Sequence, residues 1–586
     1  MEEKKLRQEW DASDRGGASR PSRGLHWMLR VKQVLHPICV LVLILTTGYT
    51  FYNNHFGHSS NLPSKYVPQC PAQEVISPKA HPSITERNVE RLFKSSEFKE
   101  LSIERLSGAV KIPTEDFDDM GPVTEDKRWD VFFDLAQYFK DTFPLLHEKL
   151  ELETVNVHGL LYTWRGSNSS LQPILLTGHQ DVVPIAEDTK PQWKNPPFSG
   201  YFDGTYINGR GSHDCKNNLL AMFSAVTALL EAGFQPQRTV VLGFGFDEES
   251  PQGYGALEIA KHLENVWGQD SFAIIVDEGA IGINKMYGRS FANPQASEKG
   301  YMDLLVRVHV PGGHSSMAPP HTSIGILSEV VTVLENEART NFPSRFTSNN
   351  PFYYQLHCAA EDPQTDISAP LRKAIKKSDG SKEVVDLLSH DFASDVYLRT
   401  SQAVTIFKSG SKANVLPQFA EALVNYRISN EETLLDVRSA LIDTVKPVAE
   451  KHNLEFVTRD EKDNATAYLP EGTLSLSWWR SLEPSPVSTH KSNSWRYFSG
   501  VIKHVFDEPG DGNDVVVTPA LAQGNTDTKY FWNLSAQIYR FGPLRAWHDK
   551  GWGGLHDVNE RISWDAHMES ILFYHEFIRV FDEADL

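Results

Sequence analysis

The sequence contains little cysteine and has no excess of positive charge. Four cysteines in 586 residues are too few for a disulfide-rich scaffold. Cys39 lies in an apolar run, so at most one disulfide can form among Cys70, Cys215 and Cys358, and the sequence does not select the pair. The formal net charge of -19 argues against a nucleic-acid partner, because most of the surface would repel phosphate.

The chain also lacks internal repeats, low-complexity tracts and a Gly-x-Ser-x-Gly motif near the end of any strand. Without that motif, a serine hydrolase finds no support. The composition, 40% hydrophobic and 23% charged, is that of an ordinary globular protein. The length allows roughly three or four domains.

A long hydrophobic run lies near the N-terminus, at residues 34–52. Its length is close to the roughly 20 residues that cross a bilayer. It follows a polar, basic tail at residues 1–33, which the positive-inside rule places in the cytoplasm. We predict a transmembrane signal anchor rather than a cleaved signal peptide, because the tail is long and no clear small-residue cleavage site follows. Residues 53–82, rich in Pro, Ser, His and Asn, are predicted to form a stalk.

Three N-glycosylation sequons agree with a body on the lumenal or extracellular side. They begin at Asn168, Asn464 and Asn533. The sequence therefore predicts a single-pass type II membrane protein with three glycosylation sites.

Apolar strands alternate with helices in a first domain at residues 83–296. Strands are predicted at residues 160–164, 173–177, 239–246 and 272–276, each an almost unbroken apolar run. Such runs are typical of parallel strands buried on both faces. We therefore predict an α/β domain with a mostly parallel sheet covered by helices.

The pattern changes to strands of alternating polarity in a second unit, which we place at residues 297–459. Helices are predicted near residues 323–337 and 431–450, separated by a long, irregular, polar stretch from about 342 to 400. This pattern indicates a small α+β unit inserted into the first domain. The first domain is expected to resume at residues 460–586 and to end in a helix at 564–581.

Histidine and acidic residues lie at or just after the ends of the apolar strands, or in loops. They are His179, Asp181, Asp214, Glu248, Glu249, Asp277, Glu278 and His556. Each has an ordinary explanation when taken singly, such as a helix N-cap or a solvated loop. Together they place so much negative charge at one sheet edge that we expect a cation there. Two zinc ions about 3.5–4 Å apart suit such a donor set.

Six motifs together resemble the M20 family of co-catalytic zinc peptidases, in particular its fungal vacuolar carboxypeptidase S (Gly-X carboxypeptidase) branch. The motifs are GHQDVVP at 178–184, GRGSHDCK at 209–216, DEE at 247–249, DEG at 277–279, GGHSS at 312–316 and LHDVNE at 555–560. The resemblance covers about residue 84 to the C-terminus, and the anchor and stalk match as well. It implies a zinc-peptidase catalytic domain with an inserted lid or dimerisation domain. It also implies that the protein is located at the vacuolar membrane, with its body in the lumen.

The resemblance also implies a role for each residue of the predicted centre. His179 and Asp277 would bind one zinc ion, Glu249 and His556 the other, and Asp214 both. Glu248 would be the general base, and Asp181 would support His179. Neighbouring strand residues face opposite ways, so Asp277 and Glu278 are alternatives, and we prefer Asp277.

The inserted domain supplies substrate residues by the same resemblance. His314 would stabilise the tetrahedral oxyanion, in some family members from the partner subunit. Asn414 and Arg427 would hold the substrate carboxylate, for which a guanidinium is well suited. A homodimer is thereby implied, although the long stretch at 342–400 argues against the family's mode of dimerisation.

The leading hypothesis is a membrane-anchored, di-zinc metallocarboxypeptidase that acts on short peptides with a free C-terminal carboxylate. The alternative is an N-acyl amino acid hydrolase or synthase of the same fold. A third hypothesis, a non-catalytic tethered binding protein, predicts the loss of Glu248 or of a ligand, and none is lost.

Overall fold

The computed structural model describes residues 66–377, 379–460, 469–508, 514–548 and 553–586. The chain divides into the units Met1–Tyr66 and Val67–Leu586, and all elements below belong to the second. None of the helices in these described ranges is long and apolar enough to cross a membrane. The predicted cytoplasmic tail and anchor, the stalk up to residue 65 and the sequon at Asn464 lie outside the described residues.

The helices of the described residues are numbered in chain order. They are α1 Pro82–Ile84, α2 Ser96–Val110, α3 Val131–Thr142, α4 Pro144–Lys149, α5 Lys216–Glu231, α6 Ala256–Trp267, α7 Ser323–Asn341, α8 Pro351–Glu361, α9 Ala369–Ile375, α10 Ser381–Leu388, α11 Phe392–Leu398, α12 Leu434–Lys451, α13 Asn493–Phe506 and α14 Trp564–Asp582.

The strands are numbered in the same way. The first ten are β1 Glu151–Val155, β2 Gly159–Trp164, β3 Ile174–His179, β4 Tyr201–Phe202, β5 Tyr206–Asn208, β6 Val240–Gly245, β7 Ile274–Met286, β8 Arg289–Ala292, β9 Gln295–Glu298 and β10 Gly300–His309. The others are β11 Gly313–His314, β12 Ser401–Ser409, β13 Val415–Leu416, β14 Phe419–Ile428, β15 Glu455–Arg459, β16 Thr473–Leu482, β17 Val516–Val517, β18 Ala520–Ala522, β19 Ile538–Arg545 and β20 Arg561–Ser563.

The large sheet is mixed, and the prediction that it is mostly parallel needs correction. Its main path runs β1-β2-β6-β3-β7-β19-β9-β18, with β8 and β17 joined at the side. The centre is parallel, since β3 pairs parallel with β6 and β7, and β19 pairs parallel with β7. One edge is antiparallel because β1 and β2 form a hairpin and β2 pairs antiparallel with β6. The four predicted strands are confirmed as β2, β3, β6 and β7.

Helices cover both faces of this sheet, which explains the unbroken apolar strands. Alternate residues of β6 belong to different cores. Leu242 packs with residues of α5 and α14, whereas Val241 packs with Ile259 of α6. The sheet is therefore the middle layer of a three-layer α/β/α arrangement.

A second sheet of five strands has the order β12-β14-β10-β16-β15. Its helix-covered face packs Met302, Leu304 and Val306 of β10 against apolar residues of α7 and α12. Strand β16 belongs to this sheet, so the sheet extends past residue 459, where the sequence pattern ended the inserted unit.

The stretch predicted to be irregular, from about 342 to 400, is largely helical and holds α8 to α11. Asn350 caps α8 by accepting a hydrogen bond from the backbone N–H of Phe352, and Asp391 caps α11 in the same way. These helices share an apolar core of their own. A disulfide between Cys70 and Cys358 ties α8 to the segment that precedes α1, and Cys215 remains a buried free thiol.

Candidate metal centre

The parallel centre of the large sheet brings the predicted residues to one edge. Strand β3 ends at His179, and the chain after β6 carries Glu248 and Glu249. Strand β7 carries Asp277 and Glu278 beside β3. Because parallel neighbours end on the same side, their side chains converge in the crevice beyond the strand ends.

His179 is almost fully buried and is held in one orientation. Its Nδ1–H donates to the backbone carbonyl of Asp181 at 3.0 Å, and Nδ1 lies 3.3 Å from a carboxylate oxygen of Asp181. This arrangement leaves Nε2 as the atom with a free lone pair. Nε2 lies 3.1 Å from Asp214 Oδ1, so its lone pair is directed into the acidic cluster.

Asp214 stands between two imidazoles. Its Oδ1 faces His179, and its Oδ2 lies 3.0 Å from Nε2 of His556. The same His556 nitrogen lies 3.2 Å from Glu249 Oε1. A carboxylate that presents one oxygen to each of two imidazoles has the arrangement of a ligand shared by two ions.

Glu560 fixes the loop that delivers Asp214. Its buried carboxylate accepts hydrogen bonds from the backbone N–H groups of Gly211, His213 and Asp214 at 3.0–3.1 Å, and from Arg210. Gly211 has a φ of +84°, and a Cβ there would lie 2.6 Å from a methyl carbon of Val182. The loop therefore requires glycine at this point. Glu560 closes the LHDVNE motif, but the sequence did not indicate its role.

The structure places Glu278, and not Asp277, beside His179. Glu278 Oε1 lies 3.6 Å from His179 Nε2. The Asp277 carboxylate is on the other side of β7, where it accepts hydrogen bonds from the hydroxyls of Thr177 and Thr526 at 2.7 and 2.9 Å. This geometry favours Glu278, the alternative to Asp277, as the residue beside His179.

Three groups of side chains in the described residues are close enough to hold a metal ion. Their ligand atoms lie within 4.8 Å of one another. The groups are His179, Asp214, Cys215 and Glu278; His179, Glu248 and Glu249; and Asp214, Glu249 and His556. Cys215 already uses its thiol, which accepts from the His179 backbone N–H at 3.2 Å and contacts the His179 carbonyl. Burial raises the pKa of this thiol, which disfavours the thiolate.

The protonation of the cluster fits a pair of divalent cations. Burial raises the pKa of Glu248 well above its usual range, and burial followed by the charge of Asp214 raises that of Glu249 to about 7. Hydrogen bonds to Asp214 and Glu249 raise the pKa of His556 to about 10. Crowded acids thus retain protons that divalent cations would displace. Imidazole and carboxylate donors with one shared carboxylate suit zinc.

Asp181 and Glu248 lie next to the ligand groups in different ways. Asp181 is fully buried behind His179, and its Oδ2 accepts the backbone N–H of Glu249 at 3.0 Å. It therefore orients both His179 and Glu249. Glu248 instead lines an open cavity of about 630 Å3. Its carboxylate can reach a molecule that enters this cavity.

The small sheet forms the opposite wall of the cavity, where it contributes Tyr301, Arg427 and Arg480. Arg427 was predicted from the sequence, and its guanidinium stacks 4.9 Å from the ring centroid of Tyr301. Arg480 was missed, because it follows two tryptophans in a stretch with no motif. Lys529, which follows the Thr526-Asp527 pair, also lines the cavity.

His314 and Asn414 are not among the residues that line this cavity. Both are exposed, and they are neighbours, since the backbone N–H of Ser315 donates to the Asn414 carbonyl at 3.1 Å. His314 lies in β11, and Asn414 directly precedes β13. These two strands pair with each other as a small two-stranded ribbon. The structure thus brings these two residues together, apart from the cavity.

The comparisons with known proteins agree with this geometry. Residues 175–580 match the family described as peptidase family M20/M25/M40. Carboxypeptidase S of Saccharomyces cerevisiae is 38% identical over 88% of this chain and 89% of its own length. The N-fatty-acyl-amino acid synthase/hydrolase of Mus musculus is 31% identical over 81% of this chain and 87% of its own. The fold resembles the M20 family metallo-carboxypeptidase Sso-CP2 from Sulfolobus solfataricus, with a TM-score of 0.56, 18% identity, and coverage of 82% of this chain and 99% of that one.

Proposed function

This chain belongs to peptidase family M20/M25/M40, and we propose that it is a di-zinc metallocarboxypeptidase that releases C-terminal amino acids from short peptides of the Gly-X type. One observation carries the proposal. Asp214 presents one oxygen to His179 and the other to His556 beside the cavity into which Arg427 projects. A hydrolytic centre thereby faces a group suited to a free carboxylate.

The distances among the side chains support a proposed set of zinc ligands. We assign His179 and Glu278 to one ion, Glu249 and His556 to the other, and Asp214 to both. When bound, the two ions would polarise the scissile carbonyl and lower the pKa of water. Asp181 orients His179 and Glu249 and does not itself bind an ion.

Glu248 is the proposed general base. It takes a proton from the attacking water and later donates that proton to the nitrogen of the leaving amino acid. Burial raises the pKa of its carboxyl in the metal-free protein, and cations bound beside it would favour the ionised form that a general base requires. Arg427 binds the terminal carboxylate and so places the last peptide bond over Glu248.

We further propose that the enzyme acts as a homodimer in which His314 and Asn414 serve the site of the second subunit. They are exposed, adjacent and absent from the lining of the cavity that holds Glu248. A donor at the position of His314 would stabilise the oxyanion, and the Asn414 amide would bind the substrate carboxylate. Their position fits a contribution in trans.

We also propose that the body faces a lumen, anchored by residues 34–52, and that the compartment is the vacuole. The Cys70–Cys358 disulfide supports an oxidising compartment. The two sequons in the described residues, at Asn168 and Asn533, have exposed asparagines, as glycosylation requires. Asn464 is proposed as a third site from the sequence alone.

The second candidate function is hydrolysis or synthesis of N-fatty-acyl amino acids. The 31% identity to the N-fatty-acyl-amino acid synthase/hydrolase of Mus musculus favours it. The two functions share the centre and the receptor for the free carboxylate, and they differ in the group on the other side of the scissile bond. A fatty acyl chain would then lie where the peptide lies.

Release of leucine from benzyloxycarbonyl-Gly-Leu and from an N-fatty-acyl leucine distinguishes the two functions. The zinc-loaded full-length chain is expected to cleave the peptide preferentially, and Glu248→Gln should lower kcat by at least about 100-fold. A chelator should abolish activity. Glu258→Gln, on the exposed face of α6, is the matched control and should leave the rate unchanged.

Preference for the acyl substrate would move the assignment to the second candidate with the same centre. Full activity of Glu248→Gln would refute the mechanism. Absence of activity on both substrates would refute both functions.

A further inference from the structure

Arg480 is turned towards the cavity by an irregularity in the small sheet. In the pairing of β10 with β16, Met302 lies opposite Ser481 and Asp303 lies opposite Trp479. Arg480 is therefore an extra residue without a partner on β10, which is a β-bulge. Its φ of +48° is in the left-handed region that residues other than glycine rarely adopt.

The bulge changes the face to which Arg480 belongs. Trp478 is buried in the helix-covered core, and Trp479 is on the open face, 39% exposed. Strict alternation would direct the next side chain back into the core. Instead, the Arg480 guanidinium stacks 4.5 Å from the ring centroid of Trp479 and lines the cavity. A bulge next to an active site is a common device for redirecting one side chain.

Arg480 and Arg427 both lie near Tyr301. Arg427 is paired with Tyr301 across β10 and β14 and stacks on its ring. Burial and the adjacent Asp303 carboxylate raise the pKa of the Tyr301 phenol, and the nearby charges of Arg427 and Arg480 both oppose that rise. All three side chains line the same cavity, so the two guanidinium groups belong to the same wall of it.

Neither guanidinium has an anionic partner within the part of the chain that the structure describes. Among the described residues, most other half-buried or buried arginines pair with a carboxylate, as Arg307 does with Glu421. Arg427 and Arg480 instead make aromatic contacts, which leave their N–H groups available in the cavity. Two half-buried cations that form no ion pair with the described residues are suited to bind an anion from solution.

We propose that Arg480 binds the free carboxylate of the substrate together with Arg427, as a second guanidinium on the same group. This inference rests on the proposed function, in which a substrate with a free carboxylate enters this cavity. One carboxylate can accept hydrogen bonds from two guanidinium groups, because its two oxygens offer about four lone pairs. The bulge thus makes the enzyme selective for a substrate with an unblocked C-terminus.

The test measures binding in a background that does not turn the substrate over. Full-length, zinc-loaded Glu248→Gln protein is titrated calorimetrically with benzyloxycarbonyl-Gly-Leu and with its C-terminal amide. Adding Arg480→Gln should raise the Kd for the acid by about 10- to 100-fold and leave the weaker binding of the amide unchanged. Arg480→Lys keeps the positive charge but loses the paired N–H donors of the guanidinium, and it should give an intermediate Kd.

Arg165→Gln is the matched control, since Arg165 also stacks on a tryptophan, Trp267, and does not line the cavity. It should leave the Kd for the acid unchanged, and circular dichroism should show the same fold for all variants. The inference would be overturned if Arg480→Gln left the Kd for the acid unchanged. It would also be overturned if the variant lost equal affinity for the acid and for the amide.

If Arg480→Gln weakened the binding of benzyloxycarbonyl-Gly-Glu alone, the inference would also be overturned, because Arg480 would then bind a side-chain carboxylate. Since binding is measured without turnover, failure here is distinct from failure of the proposed reaction. Wild-type hydrolysis of the same peptides tests the reaction separately.

Discussion

At the scale of single residues, the proposal that Glu278 rather than Asp277 binds zinc gives a direct prediction. Glu278→Gln should lower the zinc content from two ions per chain towards one, because a ligand beside His179 is lost. Asp277→Asn is the matched control on the neighbouring position. It should keep both ions, since Asp277 bonds to Thr177 and Thr526. Elemental analysis after dialysis checks both variants, and loss of zinc in Asp277→Asn alone would contradict the assignment.

The sequence predicted the residue types of the centre better than their orientation. His179 and Asp214 could be predicted because each follows an apolar strand or precedes a helix, and strand ends converge. Alternation along β7 showed that Asp277 and Glu278 face opposite ways, but it could not show which faces the crevice. Arg480 could not be predicted, because its orientation depends on a bulge that a sequence pattern does not reveal.

At the scale of elements, the Cys70–Cys358 disulfide is expected to contribute to the stability of the helical region α8 to α11. It closes a loop with a sequence separation of 288 residues, and removing such a cross-link typically costs about 2–5 kcal/mol. The double variant Cys70→Ala/Cys358→Ala should therefore unfold at a lower denaturant concentration than the wild type.

A reducing agent provides the control for this prediction. It should lower the unfolding midpoint of the wild type to that of the variant and leave the variant unchanged. Equal midpoints for the oxidised wild type and the variant would contradict the predicted contribution.

The helices of this region were missed for a physical reason. They are 7 to 11 residues long, too short for a clear apolar periodicity. Their signals were local ones, such as the caps Asn350 and Asp391 and a proline at the first turn of α8. The strands β3 and β6 were predicted because their apolar runs are unbroken and buried.

At the scale of the whole molecule, the proposed dimer predicts complementation between two inactive chains. His314→Ala lacks the oxyanion donor and Glu248→Gln lacks the base, so each alone should have little activity. After mixing and subunit exchange, a mixed dimer has one complete site, and about a quarter of all sites should become active. Activity that stays at the level of the separate variants would contradict sharing of His314.

The metal centre also predicts how the stability of the whole chain depends on pH. In the zinc-free protein, the pKa of Glu249 is raised to about 7 from its ordinary value of 4.5, and that of Asp247 to about 6 from 3.8, both mainly by burial. A group with a raised pKa in the fold stabilises the fold below its unfolded pKa and loses this contribution as the pH rises through the folded value. The zinc-free protein should therefore become less stable between about pH 4 and pH 7.

Zinc should oppose this dependence, because it displaces the protons that the buried acids hold and so binds more tightly as the pH rises. Zinc at about 1,000 times its Kd stabilises the chain by about 4 kcal/mol. At one fixed zinc concentration, the gain should therefore be larger at pH 8 than at pH 5. Thermal unfolding with zinc and with a chelator at several pH values measures this difference. In Glu249→Gln, which removes one titrating ligand, the gain should shrink and vary less with pH. A gain that is equal at pH 5 and pH 8 in the wild type would show that the acids of this cluster do not hold the ions.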